Sequence, residues 1–350
     1  MRSNTNDTRS VQLHTDTRQY VLVTGATGFI GAHVVDELLS RGIKVRGATR
    51  SLSKGKAMID ARPEFREKLD FVQIEDFENP GGFLEAIQDI DAVIHVASPF
   101  TYATKDNEKE LVIPAINGVH SVLKAAATSP KLKRIVITSS FASVLDAVRQ
   151  APPYFTYTGD DWNPLSYKES IAPGTSAVVA YRGSKKFAEL KAWEFMAKEK
   201  PSFDLVALCP PMTFGPIRHP VTNVDALNES NRMLFKIACG EVPLPVARVP
   251  FWIDVRDLAK AHVEALLRPE AGGKRYIPAS PERFTYSKAA SIIRSHFAWA
   301  ANKVSRELQA PDESHGVDGE TAGRELGLDY IPFTRTVIDL ITQIRDLDHS

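Results

Sequence analysis

The chain has 350 residues, with 43 Lys plus Arg against 43 Asp plus Glu and 43% hydrophobic residues. That length holds one large domain or two, and the balanced charge leaves no global field to recruit nucleic acid or an anionic membrane. Two cysteines, Cys209 and Cys239, exclude a disulfide framework and suit a reducing cytoplasm, and no apolar run reaches the roughly 20 residues of a membrane span.

Residues 1–19 are polar and lack the apolar core of a signal peptide, so a disordered extension is expected there. Tyr20–Val23 then reads as a buried strand. Gly25, Gly28 and Gly31 follow at three-residue spacing, ahead of helical periodicity over 29–41. Strand, glycine loop and helix in that order form a dinucleotide fingerprint. Gly25 permits the tight turn, Gly28 lets backbone approach a pyrophosphate, and Gly31 lets the helix pack closely. The helix N-terminus faces the phosphates. The second strand, Lys44–Ala48, leads into Arg50, with Lys54 and Lys56 beyond and no acid where an NAD enzyme needs one for the ribose 2′-hydroxyl. A 2′-phosphate suits these cations, so NADPH is the expected cofactor.

A helix is expected near 54–61, a strand at Asp70–Ile74 and a helix near 81–88. Asp76 and Phe77 stand after that third strand, where they either hold the adenine or open a turn before Asn79-Pro80-Gly81. The fourth strand, Ala92–Val96, is followed by small Ala97 and Ser98, which let a cofactor approach backbone, and by Phe100. His95 on that strand reads as a core histidine. A helix over 108–128 precedes the strand Arg134–Thr138, and Ser139-Ser140 place hydroxyls at its carboxyl end, where a carbonyl could be polarised. In the helix over 181–200, Tyr181 and Lys185 stand one turn apart on one face. A free phenol has a pKa of about 10; an adjacent ammonium lowers it and makes a proton donor for neutral pH. The strand Asp204–Leu208 ends in a proline-stiffened loop, Cys209 to Pro216, suited to a wall beside a nicotinamide.

Alternation of strand and helix predicts a parallel sheet covered on both faces, with ligands at the carboxyl ends of its strands. After Pro210 the alternation fails, apart from a helix near 254–267. The expected division is residues 1–19 as extension, 20–210 as the dinucleotide domain and 211–350 as a smaller substrate lobe, with 254–267 packing back on the first. Phe100, Phe141 and Met212 are expected to make an apolar substrate wall. No Cys/His cluster has metal-ligand spacing, so no metal is expected.

The glycine set, the serines and the Tyr181/Lys185 pair resemble the signature of extended short-chain dehydrogenases/reductases. Further segments narrow the likeness: SPF at 98–100, IPAINGV at 113–119, TSSFAS at 138–143, WNP at 162–164, AYRGSKKFAELKAWEF at 180–195 and WIDVRDLAKAH at 252–262. Over about residues 20–345 the chain is similar to fungal NADPH-dependent aldehyde and methylglyoxal reductases and to the dihydroflavonol 4-reductase/cinnamoyl-CoA reductase group. The resemblance implies an α/β fold of Rossmann type, a doubly wound parallel sheet with a smaller C-terminal lobe. It implies a catalytic set of Ser140, Tyr181 and Lys185. It assigns NADPH to Gly25, Ala26, Thr27, Gly28, Phe29, Ile30 and Gly31, to Arg50, Lys54, Asp76, Phe77, Ala97 and Ser98, and to Tyr181 and Lys185. The loop residues Pro210, Thr213, Phe214, Gly215 and Pro216 complete that set.

Asn117 matches an NGV motif of the group, with a part in a proton relay left open. Leu145 stands where flavonoid reductases carry a substrate-gripping asparagine, and Met212 replaces an aromatic common in the yeast-like aldehyde reductases. The expected reaction is reduction of a small aldehyde or ketone by a cytoplasmic monomer or homodimer. The alternatives are a ketoreductase of fungal secondary metabolism, a sugar-nucleotide epimerase/dehydratase and a non-catalytic NADP sensor.

Overall fold

Strands buried on both faces must be apolar throughout, and Val21, Leu22 and Val23 of the first strand are fully buried. The computed structural model describes residues 19–98, 104–247 and 249–345; the expected disorder of the first 18 residues and the expected role of Phe100 fall outside them. In chain order the strands are β1 (Tyr20–Thr24), β2 (Lys44–Thr49), β3 (Leu69–Gln73), β4 (Ala92–His95), β5 (Arg134–Thr138) and β6 (Phe155–Tyr157). They continue as β7 (Asp204–Leu208), β8 (Met212–Phe214), β9 (Trp252–Asp254), β10 (Arg275–Tyr276) and β11 (His315–Val317). Seven form one sheet in the order β3-β2-β1-β4-β5-β7-β10, and every pairing in it is parallel.

The chain moves outward from β1 to β2 and β3, then returns to β4 on the other side of β1. The reversal opens a crevice at the carboxyl ends of β1 and β4. The helices are α1 (Phe29–Ser40), α2 (Leu52–Asp60), α3 (Ile113–Ala126), α4 (Tyr167–Ile171) and α5 (Ala177–Glu199). Beyond them come α6 (Glu229–Ala238), α7 (Val255–Leu267), α8 (Tyr286–His296), α9 (Glu320–Leu326) and α10 (Phe333–Ile344). One sheet face buries Val34, Val35 and Leu38 of α1 with Ala259 and Val263 of α7. The other face buries Val122 and Leu123 of α3 with Ala192 and Phe195 of α5. A separate core gathers Phe214, Trp252, Phe284 and Phe333 with α6, α8 and α10, over the short parallel pair β8–β9.

Two expectations need correction. Residues 81–88 are not an α-helix: Pro80–Phe83 form a short 3₁₀ turn in which the Asn79 side chain accepts from Gly81 N. The apolar spacing there is real, since Phe83, Ala86, Ile87 and Ile90 are buried, but Pro80-Gly81-Gly82 disfavours helix propagation. The helix bearing Tyr181 begins at Ala177, capped by Ser176, whose hydroxyl accepts from Val179 N. Both site residues therefore lie in its interior.

Three buried histidines make this fold acid-sensitive. His33 bonds the Pro216 carbonyl at 2.8 Å, His95 pairs with Thr24 Oγ1 at 2.9 Å, and His262 sits between Thr138 Oγ1 and the Leu258 carbonyl. Burial lowers the imidazole pKa to about 4 in His33 and His262 and to about 3 in His95, where Lys185 adds to the effect. Between pH 6.5 and 4 the unfolded state therefore binds more protons, and stability falls as pH falls. At pH 5 the loss is up to about 2 kcal/mol for each histidine. The urea midpoint is expected to drop clearly from pH 7.5 to pH 5; equal midpoints would contradict it.

Candidate active site

The crevice holds a cleft of about 970 Å³ whose lining begins with the glycine turn. Gly25 has φ +66°, and a Cβ there would meet Ala97 N at 2.9 Å. A Cβ on Gly31 would lie 2.1 Å from the Gly25 carbonyl oxygen, closer than any real contact. Side chains at either position would push α1 off the sheet and fill the cradle. The first-turn N–H groups of α1 have no carbonyl one turn back, and the helix N-terminus favours an anion. Thr24 fixes the neighbouring strand end: its hydroxyl oxygen accepts from Ala97 N at 3.1 Å and pairs with His95. Among the described residues, His95 Nε2 is buried without a hydrogen-bond partner, at a residue that lines the cleft.

At the other end, Thr49, Arg50 and Lys54 line the cleft. Among the described residues, neither the Arg50 guanidinium nor the Lys54 ammonium has a hydrogen-bonded or ion-paired side-chain partner. Arg46 is committed elsewhere, to Asp70 and the Gln88 carbonyl. Two uncommitted cations, a cradle that only glycine fits and a helix N-terminus suit a dinucleotide carrying an extra phosphate. Asp76 lines the cleft, but its Oδ1 accepts from Glu78 N at 2.8 Å and so closes a turn. Phe77 also lines it and packs edge-on against Phe83.

Ser140 and Tyr181 both face the same cleft. Ser140 is extended at the end of β5, and its Oγ accepts from Ala142 N at 3.1 Å. Lys185 is nearly buried beside them, its Nζ 5.9 Å from the centre of the Tyr181 ring. Burial pulls the Lys185 ammonium down to about 8, against the opposing pull of Cys209 and Glu189. Asn117 instead donates to Glu78 Oε2 at 2.9 Å.

The proline loop divides differently from expectation. Pro211, Met212 and Thr213 line the cleft, whereas Pro210, Phe214, Gly215 and Pro216 do not. Pro210 uses its carbonyl to accept from Phe141 N. Phe214 packs against Phe284 and Phe333 in the lobe core. Gly215 is bonded on both sides by the Asn231 amide, and the Pro216 carbonyl is taken by His33. Ala26 is fully buried, so its side chain does not line the cleft either.

Phe141 and Met212 both reach the wall. Leu145, Val178 and Val249 join them, with a polar group of Arg182, Asn228, Glu229 and Ser230. The last three come from the start of α6, a helix that the sequence reading passed over although Asn228 and Glu229 make a recognisable helix start. The described residues hold no cluster of metal-ligating side chains and no helix long and apolar enough to cross a membrane.

Residues 21–277 match the family described as the NAD dependent epimerase/dehydratase family. The chain is 34% identical to the ketoreductase azaE of Aspergillus niger, over 93% of its own length and 97% of the relative's. It is 33% identical to the NADPH-dependent methylglyoxal reductase GRE2 of Saccharomyces cerevisiae, over 93% and 97%. Among solved structures, yeast methylglyoxal/isovaleraldehyde reductase Gre2 complexed with NADPH superposes with a TM-score of 0.84 at 32% identity, covering 95% of this chain and 99% of that one.

Proposed function

The chain belongs to the NAD dependent epimerase/dehydratase family, and from that premise we propose that its cleft reduces a small aldehyde or ketone, with Tyr181 as the proton donor. The chain is an NADPH-dependent carbonyl reductase. One observation supports the residue roles: Tyr181 and Ser140 line the cleft that also opens onto the glycine turn, Arg50 and Lys54, and Lys185 lies buried behind the Tyr181 ring, outside the cleft lining. NADPH, when bound, supplies the hydride.

Tyr181 gives its phenolic proton to the substrate oxygen as charge develops there, and the Lys185 ammonium favours the phenolate left behind. Ser140 Oγ already accepts from Ala142 N, which leaves its hydroxyl proton to donate to the same substrate oxygen. Arg50 and Lys54, which line the cleft, would hold the 2′-phosphate, and the N-terminus of α1 would hold the pyrophosphate.

The wall of Phe141, Leu145, Met212, Val178 and Val249 favours an uncharged, medium-sized carbonyl compound. Apolar walls separate such substrates weakly, by about 1–3 kcal/mol per methylene, so several aldehydes and ketones should serve. Met212→Ala is expected to shift kcat/KM toward bulkier carbonyls and leave the KM for NADPH nearly unchanged. A fixed substrate profile with collapsed cofactor binding would place Met212 on the cofactor instead.

The polar end formed by Arg182, Asn228, Glu229 and Ser230 supports a second reading, a larger oxygen-bearing ketone. Initial rates of NADPH oxidation with short aldehydes and with polyhydroxylated aromatic ketones separate the two. Higher kcat/KM for the ketones favours the second.

A further inference from the structure

Behind Tyr181 and Lys185, α5 carries a third polar side chain one turn further along the same face. Glu189 is only 1% exposed, and its carboxylate is fully engaged. Oε1 accepts from Arg275 Nε at 2.6 Å and from Trp193 Nε1 at 3.3 Å. Oε2 accepts from Ser139 Oγ at 2.5 Å and Ser143 Oγ at 2.8 Å, with Cys209 Sγ at 3.6 Å. Ser139 and Ser143 bracket the turn that presents Ser140. Arg275, from β10, also donates to Ser143 Oγ and to the Gly159 carbonyl, each at 2.9 Å, and lies over the Trp162 ring at 3.8 Å. Neither Glu189 nor Arg275 lines the cleft. Replacing a buried ion pair by apolar residues of equal volume is often neutral or stabilising, so stability alone does not account for this arrangement.

We propose that Glu189 is a positioning residue of the catalytic centre: it anchors the Ser139–Ser143 turn that presents Ser140 and keeps the Lys185 ammonium protonated. The inference rests on Tyr181, Lys185 and Ser140 being the reacting set. The groups facing Lys185 are Tyr181 and Glu189 on its own helix, Cys209 beyond β7, and His95 on β4. His95 is neutral, since its pKa is lowered to about 3. The Cys209 thiol is pushed up to about 12 by burial and carries no charge at working pH. The carboxylate of Glu189 is left as the anion that holds the proton on Lys185. It is itself faced by Arg275, which sets the geometry of the carboxylate.

Glu189→Gln preserves shape and removes the charge. Loss of an anion beside the Tyr181/Lys185 pair lowers the first pKa of that pair, whichever proton leaves first. The alkaline limb of kcat/KM for carbonyl reduction is expected to move to lower pH by at least about half a unit. Glu189→Gln alone leaves Arg275 buried and unpaired, which endangers folding. The test therefore includes Arg275→Gln, which keeps the carboxylate, removes the cation that faces it and should move the limb to higher pH, and the double variant, in which the two changes offset and the limb should return toward its wild-type position. Ser143→Ala removes one tether but no charge, and should lower kcat several-fold with the limb in place.

An unmoved limb in whichever of Glu189→Gln and Arg275→Gln folds, judged by circular dichroism, would overturn the electrostatic role. Wild-type kcat in Ser143→Ala would overturn the anchoring role. Either failure beside an inactive Tyr181→Phe removes Glu189 alone from the mechanism, whereas full turnover in Tyr181→Phe removes the premise.

Discussion

Tyr181→Phe is expected to lower kcat by about 10²–10⁴, the range of a positioned general acid, or about 2.7–5.4 kcal/mol of barrier. The substitution removes one hydroxyl from a helix interior whose Ser176 cap and packing against α3 stay intact. Melting temperature and NADPH affinity should therefore change little. The loss belongs in kcat, because the proton is needed only as the substrate oxygen gains charge. Rapid-mixing absorbance of NADPH in a single turnover separates this step from product release. Near-wild-type decay with a good substrate would remove Tyr181 from its role.

Arg50→Asp is the second large effect. Arg50 lines the cleft after β2, where the Thr49 hydroxyl is occupied with Ser51 and no carboxylate follows the strand. A charge-assisted bond is worth about 1.5–3 kcal/mol, so its loss alone raises the KM for NADPH roughly tenfold to hundredfold. The introduced carboxylate also repels the 2′-phosphate and can accept the ribose 2′-hydroxyl of NADH. The KM for NADH should hold or fall. If the ratio of the two does not change, Arg50 is not the selector and Lys54 becomes the residue to replace.

The first two hundred residues were legible because local and global signals agree there. β1, β4, β5 and β7 are apolar runs that a doubly covered sheet requires, and Gly25 and Gly31 stand where any Cβ would collide with Ala97 or Gly25. Tyr181, Ser140, Arg50 and Met212 all reach one cleft because strand carboxyl ends converge there. Misreadings came where tertiary packing decides. Phe83 to Ile90 keep helical spacing without forming a helix, since burial of four side chains needs only a compact turn. Phe214 looks like a loop residue beside the nicotinamide, yet β8 pairs with β9, forty residues away in sequence, and carries it into the lobe core. The helix start at Asn228 and Glu229 is readable, but the place of Asn228, Glu229 and Ser230 in the wall is not, because it depends on α6 packing against α8 and α10.

Glu189 was readable as a member of the motif but not as a partner of Arg275, which lies on the last strand of the sheet. No pattern in either segment announces the other.

The most direct test of the account measures stoichiometry with the full-length protein. Purified enzyme receives NADPH and an excess of one accepted aldehyde or ketone, and NADPH loss and alcohol are both quantified at several times. One alcohol formed for each NADPH consumed, with Tyr181→Phe far slower, is the predicted result. NADPH that binds tightly but is not consumed with any aldehyde, diketone or aromatic ketone would contradict it and leave a cofactor-binding protein without this chemistry.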